Sequence, residues 1–302
     1  MLSQPERQLD IKCQACSTVS QARVETIPDF EYAIPGGACY GCCSNCGSFT
    51  HSPMPGGAEL ASYYPANYHS FLPPNILSRL RQRMRLAQLK RLGKTGTILD
   101  FGCGQGMFLN ALAESFPDGR FLGYEIGERN EKEERYGGRV TIFRGNPDFF
   151  WDNVSNVDLV TMNHVIEHLP NPIETVRSIR SILSPQGRVE GQTPNADCYE
   201  RLIFGSCWSG FHSPRHTVVF SKRGLETLLK DAGFATVHVT SGWNPASWAV
   251  SIGSVFQDAT KPTGITRQGI WWLALIAAGL VPSLIESRTQ KSGIIDFVAS
   301  AP

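Results

Sequence analysis

Residues 98–109 read ILDFGCGQGMFL: an apolar run of strand length, an acid at position 100, then glycines at 102, 104 and 106. Glycines straight after such a run mark a turn where something presses close to the backbone, as a nucleotide does at the carboxyl end of a parallel strand. A P-loop is excluded, because no Gly-Lys-Ser/Thr follows the turn. The dinucleotide fingerprint Gly-x-Gly-x-x-Gly needs a glycine at 107, where Met107 stands. What stands instead is Asp100-x-Gly102-Cys103-Gly104-x-Gly106. A carboxylate at the strand end repels a pyrophosphate but accepts bonds from an ammonium group.

Working outward, Glu125 closes the next apolar run 23 residues past Gly102, where an acid binds ribose hydroxyls. Acids at two neighbouring strand ends suit a cationic nucleoside without phosphates, and S-adenosylmethionine is such a ligand. Strand-length runs at 97–101, 120–124, 139–143, 157–162, 188–192, 235–240 and 294–299 are separated by helical stretches at 106–115, 128–136, 172–183 and 222–232. This alternation predicts an α/β fold: a Rossmann-like, mainly parallel seven-stranded sheet with helices on both faces.

Asp100–Gly106, Glu125, "HVIEHLPNP" (164–172) and "LSPQGRVEGQTPN" (183–195) together resemble class I S-adenosylmethionine-dependent methyltransferases over roughly residues 95–240. The resemblance implies that Asp100, Gly102, Cys103, Gly104 and Gly106 cradle the methionine end of the cofactor and Glu125 holds its ribose. Asn146 would lie near the adenine, and Asn163 or His164 would flank the methyl group. Some ubiquinone-type O-methyltransferases show Glu-x-x-Glu-His where this chain has His164-x-x-Glu167-His168, a spacing that could bind a metal; bonding of Glu167 and His168 to loop backbone is the first reading. In "WSGFHSPRHTVVFS" (208–221), aromatic rings and polar tips form the mix expected of a small-molecule pocket. Here His216 is expected as general base, Arg215 as partner of an anionic group, and Trp208, His212 and the earlier Tyr68 as acceptor contacts.

Six of the nine cysteines fall in the first 75 residues. "CQAC" and "CSNCG" place Cys13/Cys16 and Cys43/Cys46 as two knuckles with the spacing of a four-thiolate structural zinc site, Gly47 freeing the backbone at the second. Cys39/Cys42 offer a competing pair. The expected organisation is a zinc-ribbon-like module with a Tyr-rich linker (1–72), a connecting helix (73–94) and the methyltransferase domain (95–302). The front end is similar to a bacterial subgroup with such a cysteine knuckle before this domain.

A net charge of +1 with 18% charged residues gives no support for nucleic acid as partner. The N-terminus has charge and Pro5 where a signal peptide needs an apolar stretch, so a cytoplasmic protein is expected. The apolar stretch 270–285 is shorter than the roughly 20 residues a span needs; a buried helix is the first reading and weak contact with a membrane surface the second. The expected function is methyl transfer to O, N or C of a small metabolite (sugar, polyketide or quinone-like). A nucleic-acid methyltransferase or a non-catalytic scaffold on the same fold are the alternatives.

Overall fold

The computed structural model describes residues 7–65, 68, 76–91, 96–257 and 269–301. Strands β1 (Arg7–Lys12), β2 (Val19–Ile27), β3 (Ala38–Cys42) and β4 (Phe49–His51) come first, then helices α1 (Gly57–Ser62) and α2 (Ile76–Arg91). Next follow β5 (Thr97–Phe101), α3 (Met107–Ser115), β6 (Arg120–Glu125), β7 (Glu131–Arg135), β8 (Val140–Arg144), α4 (Pro147–Trp151), β9 (Val157–Asn163), α5 (Pro172–Ile182) and β10 (Leu183–Pro194). The chain ends with α6 (Tyr199–Phe204), β11 (Val218–Val219), α7 (Lys222–Asp231), β12 (Thr236–Ser241), α8 (Pro245–Val255), α9 (Gly269–Arg288) and β13 (Ile294–Ser300). Of the expected connecting helix, residues 73–75 and 92–94 and the side chains of Ile76, Leu77 and Leu80 lie outside the described residues.

The larger sheet runs β12-β13-β10-β9-β5-β6-β8-β7. Its five central strands, β10 to β8, are parallel, and β13 enters antiparallel between β10 and β12. Seven of the eight strands are the seven apolar runs of the sequence, each within a few residues of its expected bounds. Short apolar runs buried on both faces form parallel strands because helices cover each side. Thus α3 sets Phe108, Leu109, Leu112 and Ala113 against the sheet, each fully buried leucine contributing about 2 kcal/mol.

The eighth strand corrects the helix expected at 128–136. "EKEER" pairs antiparallel with β8 along its whole length. Its ion pairs, Lys132–Glu134 and Glu133–Arg135, both at 2.7 Å, join residues two apart, which share a face on a strand and not on a helix. A segment of charges has no apolar period of either kind, so partner strand β8 decides its conformation.

The smaller sheet, β1-β2-β3-β4-β11, takes its last strand from the far end of the chain: Val218–Val219 pair antiparallel with Phe49–Thr50. Cys13, Ala15, Cys43 and Cys46 also share one apolar cluster with Leu225 and Leu228 of α7 and the strands of the larger sheet. The N-terminal module is therefore built into the main core.

Helix α9 overturns the buried-helix expectation. It packs on α8 through Trp272, Leu275 and Ile276, while its opposite face is open to solvent, with Trp271 82% and Val281 66% exposed.

Candidate functional site

The carboxyl ends of β5, β6 and β9 meet at the glycine-rich turn. Register sets Asp100 beside Thr161, whose hydroxyl donates to Asp100 Oδ1 at 2.6 Å. Burial pushes the Asp100 carboxyl up, against the Arg85 guanidinium and the Thr161 bond. Burial likewise raises Glu125, which accepts from the Gly104 amide through Oε2 at 2.6 Å. A buried acid and a half-buried one, one strand apart, form a site that favours a cation.

The turn glycines do different work. All three sit at positive φ. A Cβ on Gly102 would stand 2.5 Å from Val165 Cγ2, and one on Gly106 2.4 Å from Ile142 Cδ1, so these two permit packing. A Cβ on Gly104 would meet nothing within 4 Å. That backbone faces open space, as a cradle for a nucleoside requires. Cys103 contributes its amide, donated with that of Gly102 to Tyr124 O, while its thiol is buried and pushed up by burial.

Arg85 was not singled out in the sequence. It lies over the Phe108 ring at 3.9 Å, reaches Asp100 at 3.4 Å, and, with the Asn163 amide turned over so that its oxygen faces the guanidinium, donates to it from Nη1 and Nη2 at 3.0 and 2.8 Å. A guanidinium beside an acid at the mouth of the turn can hold a carboxylate while the acid holds an ammonium, the two ends of an amino acid. Within an arginine-rich helix, nothing in the sequence distinguished it. Asn146 caps α4, its Oδ1 accepting from the Asp148 amide at 2.9 Å.

Past Val165, which packs against Gly102 and follows His164 in the chain, lies a cavity of about 230 Å³ lined by His164, His168, His212, His216, Glu31 and Tyr68, among others. His164, which leads on from β9, turns Nδ1 to Glu167 Oε1 and Nε2 to Gln192 Oε1, each at 3.2 Å. Gln192 is fixed in turn by its amide donating to Asp296 Oδ1 at 2.7 Å. Glu167 is fully buried and accepts from Thr193 Oγ1 at 2.9 Å. Burial opposes its charge, but the His164 bond and the neighbouring imidazoles hold its carboxyl below the usual value.

The inner histidines are neutral. His216 Nδ1 donates to Gly210 O at 2.8 Å, and burial and nearby imidazoles hold its pKa well below the ordinary value. His168 is pushed down to about 4, mainly by burial; its Nδ1 lies 3.1 Å from Arg215 O and 2.9 Å from the Tyr64 hydroxyl. Glu167, His168 and His216 offer donor atoms within 4.8 Å of one another, a set that could hold a divalent cation. Because each inner imidazole has Nδ1 at a backbone carbonyl, Nε2 is left as the ligand atom. Tyr68 meets His212 Nε2 at 3.2 Å, and Glu31 meets its Nδ1 at 2.7 Å.

Two expected acceptor contacts are placed elsewhere. Arg215 is fully buried, bidentate on Asp29 at 2.9 Å for both bonds, and donates to Tyr63 O and Ser213 O. Its charge is already matched, so it braces the loop to the N-terminal module and does not face an acceptor. Trp208, 2% exposed, packs edge-on against Phe211 in the core beneath the smaller sheet. The loop's aromatic composition did not separate wall from core.

The four expected metal ligands converge. Sγ atoms of Cys13 and Cys46, and of Cys16 and Cys43, lie 3.6 Å apart, and all four fall within 4.8 Å of one another. Zinc bound at about 2.3 Å to each thiolate sets tetrahedral sulfurs roughly 3.8 Å apart, so the residues fit the ion. The amides of Ala15 and Cys16 point at Cys13, and those of Asn45 and Cys46 at Cys43, as knuckles do. Cys39 and Cys42 stand outside the group, bonded to Thr26 and Gly47.

A family model described as a methyltransferase domain matches residues 68–239. An uncharacterised 37.1 kDa protein in transposon TN4556 of Streptomyces fradiae is 26% identical over 216 residues, covering 68% of this chain and 58% of that protein. Ubiquinone biosynthesis O-methyltransferase of Nitrosospira multiformis is 25% identical over 169 residues, covering 52% of this chain and 70% of that one. The enzyme of the same name from Vibrio parahaemolyticus is 27% identical over 152 residues, covering 48% and 63%. The chain thus spans less than two thirds of the length of the first and third relatives. Among solved structures, phosphoethanolamine N-methyltransferase 2 of Haemonchus contortus in complex with S-adenosyl-L-methionine is 16% identical, with TM-score 0.48, covering 83% of this chain and 58% of that one.

Proposed function

Because this chain belongs to the methyltransferase-domain family, we propose that it transfers a methyl group from S-adenosylmethionine to a hydroxyl of a small molecule held in the histidine-lined cavity. The observation that carries this reading is the adjacency of two unlike sites. A turn with one buried and one half-buried acid and an open glycine face stands beside a cavity whose rim residue, His164, is backed by a buried carboxylate. The O-methyltransferase names of two relatives favour oxygen as the accepting atom.

Bound in the turn, S-adenosylmethionine supplies an electrophilic methyl on a sulfonium that is already a good leaving group. The chain's part is positioning and proton removal. Asp100 and Arg85 hold the ammonium and carboxylate of the methionine end, Glu125 the ribose, and Gly104 lets the nucleoside lie against backbone. With Nδ1–H donated to Glu167, His164 takes the acceptor's hydroxyl proton at Nε2, the hydroxyl standing in the place at Nε2 that Gln192 Oε1 otherwise faces, and Glu167 stabilises the imidazolium. His168 and His216, being neutral, offer hydrogen bonds without repelling a sulfonium. The four-cysteine group, closed by protein ligands, serves folding when it holds zinc.

The test is calorimetric titration with S-adenosylhomocysteine, with NAD as control. Binding is expected to be lost in Asp100→Ala and Glu125→Ala and kept in His164→Ala, which instead loses turnover in an acceptor screen. A folded, zinc-replete protein that does not bind S-adenosylhomocysteine overturns the reading.

A further inference from the structure

Helix α9 turns a broad apolar face outward and tucks its polar Ser283 and Glu286 against the protein. Its buried positions include Gly279, Ser283 and Glu286 beside Trp272. Its solvent face carries Ile270, Trp271, Leu273, Val281, Leu284 and Ile285, each from 42% to 82% exposed. A helix that packs on a soluble core shows the reverse pattern. A contiguous apolar face of this length marks a contact with something else.

We propose that α9 docks flat on the surface of an anionic lipid bilayer, with this face in the interfacial layer. Charge selects the occupant. Between positions 269 and 291 the exposed ionic residues are Arg288 and Lys291, while the one acid, Glu286, is 1% exposed. Cations at the rim of an apolar face, with no exposed acid, complement phosphate headgroups. A second copy of the same face would offer those cations no partner. Trp271 stands at the start of the helix, and Trp243, 52% exposed, lies just before α8; indoles favour the headgroup boundary.

Twenty residues are also long enough to cross a bilayer, but the buried face holds α9 on the protein. Glu286 accepts from the Glu200 amide at 2.9 Å and from Trp248 Nε1 at 2.8 Å. The backbone of α8 approaches Gly279 so closely that a Cβ there would stand 2.5 Å from Pro245 O. A span would strip these contacts; docking keeps them. Helix α8, through Ala246 and Val250, both packs on α9 and lines the histidine cavity. A docked α9 therefore holds the cavity one helix away from lipid. The inference stands on α9 itself and does not depend on the acceptor.

The experiment is flotation of the full chain with phosphatidylcholine vesicles, with and without phosphatidylglycerol, beside light scattering of the free protein. The chain is expected to float with the anionic vesicles, less with phosphatidylcholine alone and less at high salt. A Trp271→Glu, Val281→Glu, Ile285→Glu variant should lose at least about tenfold in partitioning and keep its binding of S-adenosylhomocysteine as proof of fold. A wild-type chain that does not float overturns the proposal. So does a dimer that this variant abolishes without any flotation, or a membrane-bound chain released only by detergent.

Discussion

Replacing Asp29 by Ala tests whether the N-terminal module is a structural part of the methyltransferase-domain half. Asp29 is 2% exposed and meets Arg215, itself fully buried, through two bonds of 2.9 Å. Its oxygens also accept from the amides of Glu31 and Tyr32, both at 3.0 Å, and Ile34 at 3.3 Å. Removing one partner of a buried pair leaves an uncompensated charge and costs roughly 3–5 kcal/mol, and loss of the turn acceptor adds about 1 kcal/mol. For a chain of this size each kcal/mol lowers Tm by about 2 °C, so Asp29→Ala should fall on the order of 10 °C in calorimetry. Asp29→Asn keeps an oxygen for the amides but still strands the Arg215 charge, so it should lose only about 1 kcal/mol less. The double variant Asp29→Ala, Arg215→Met removes the stranded charge, so its loss should be at least about 2 kcal/mol smaller than the sum of the single losses. A fall under about 2 °C in Asp29→Ala, or strict additivity in the double variant, refutes the argument.

Gly104→Ala should fold with only the roughly 1 kcal/mol cost of its positive φ, since its Cβ meets no protein atom within 4 Å, yet bind S-adenosylhomocysteine at least about tenfold more weakly because the methyl occupies the cradle. Gly102→Ala should lower Tm further, adding collision with Val165 to the same φ strain, and calorimetry separates the two; unchanged binding in Gly104→Ala would sink the cradle assignment. Stability should fall with acid. His168 titrates near 4 when folded and about 6.5 when unfolded, so the unfolded state gains the proton first as pH drops from 6.5 to 4. At most roughly 3 kcal/mol is lost over that window, with His216 adding in the same sense. Urea midpoints from pH 7.5 to 4.5 check this, and His168→Gln should flatten the slope. Zinc content by atomic emission should fall in Cys13→Ser and Cys46→Ser and be unchanged in Cys39→Ser and Cys42→Ser; the reverse pattern would reassign the ligands.

By itself the sequence determined whatever short-range pattern encodes. Seven apolar runs alternating with helical stretches specify the central sheet, because burial on both faces demands near-continuous hydrophobicity. Glycines at alternate positions after an acid specify the turn, because only glycine takes positive φ there without strain. Cys-x-x-Cys spacing marks the knuckles, because sulfur spacing is set by local backbone, while the choice of Cys43/Cys46 over Cys39/Cys42 fell to the structure.

Tertiary structure decided what depends on distant partners. "EKEER" is a strand because β8 lies beside it. Arg215 is a brace because Asp29, 186 residues away, neutralises it. Arg85 belongs to the site because α2 sets it over Phe108. The histidines of 164–216 converge because the strand ends and one loop meet over Glu167. The two faces of α9 are apolar to different degrees only once α8 has chosen which to cover. In each case the deciding energy is a charge matched or a surface buried by a residue far along the chain, and no local pattern carries that information.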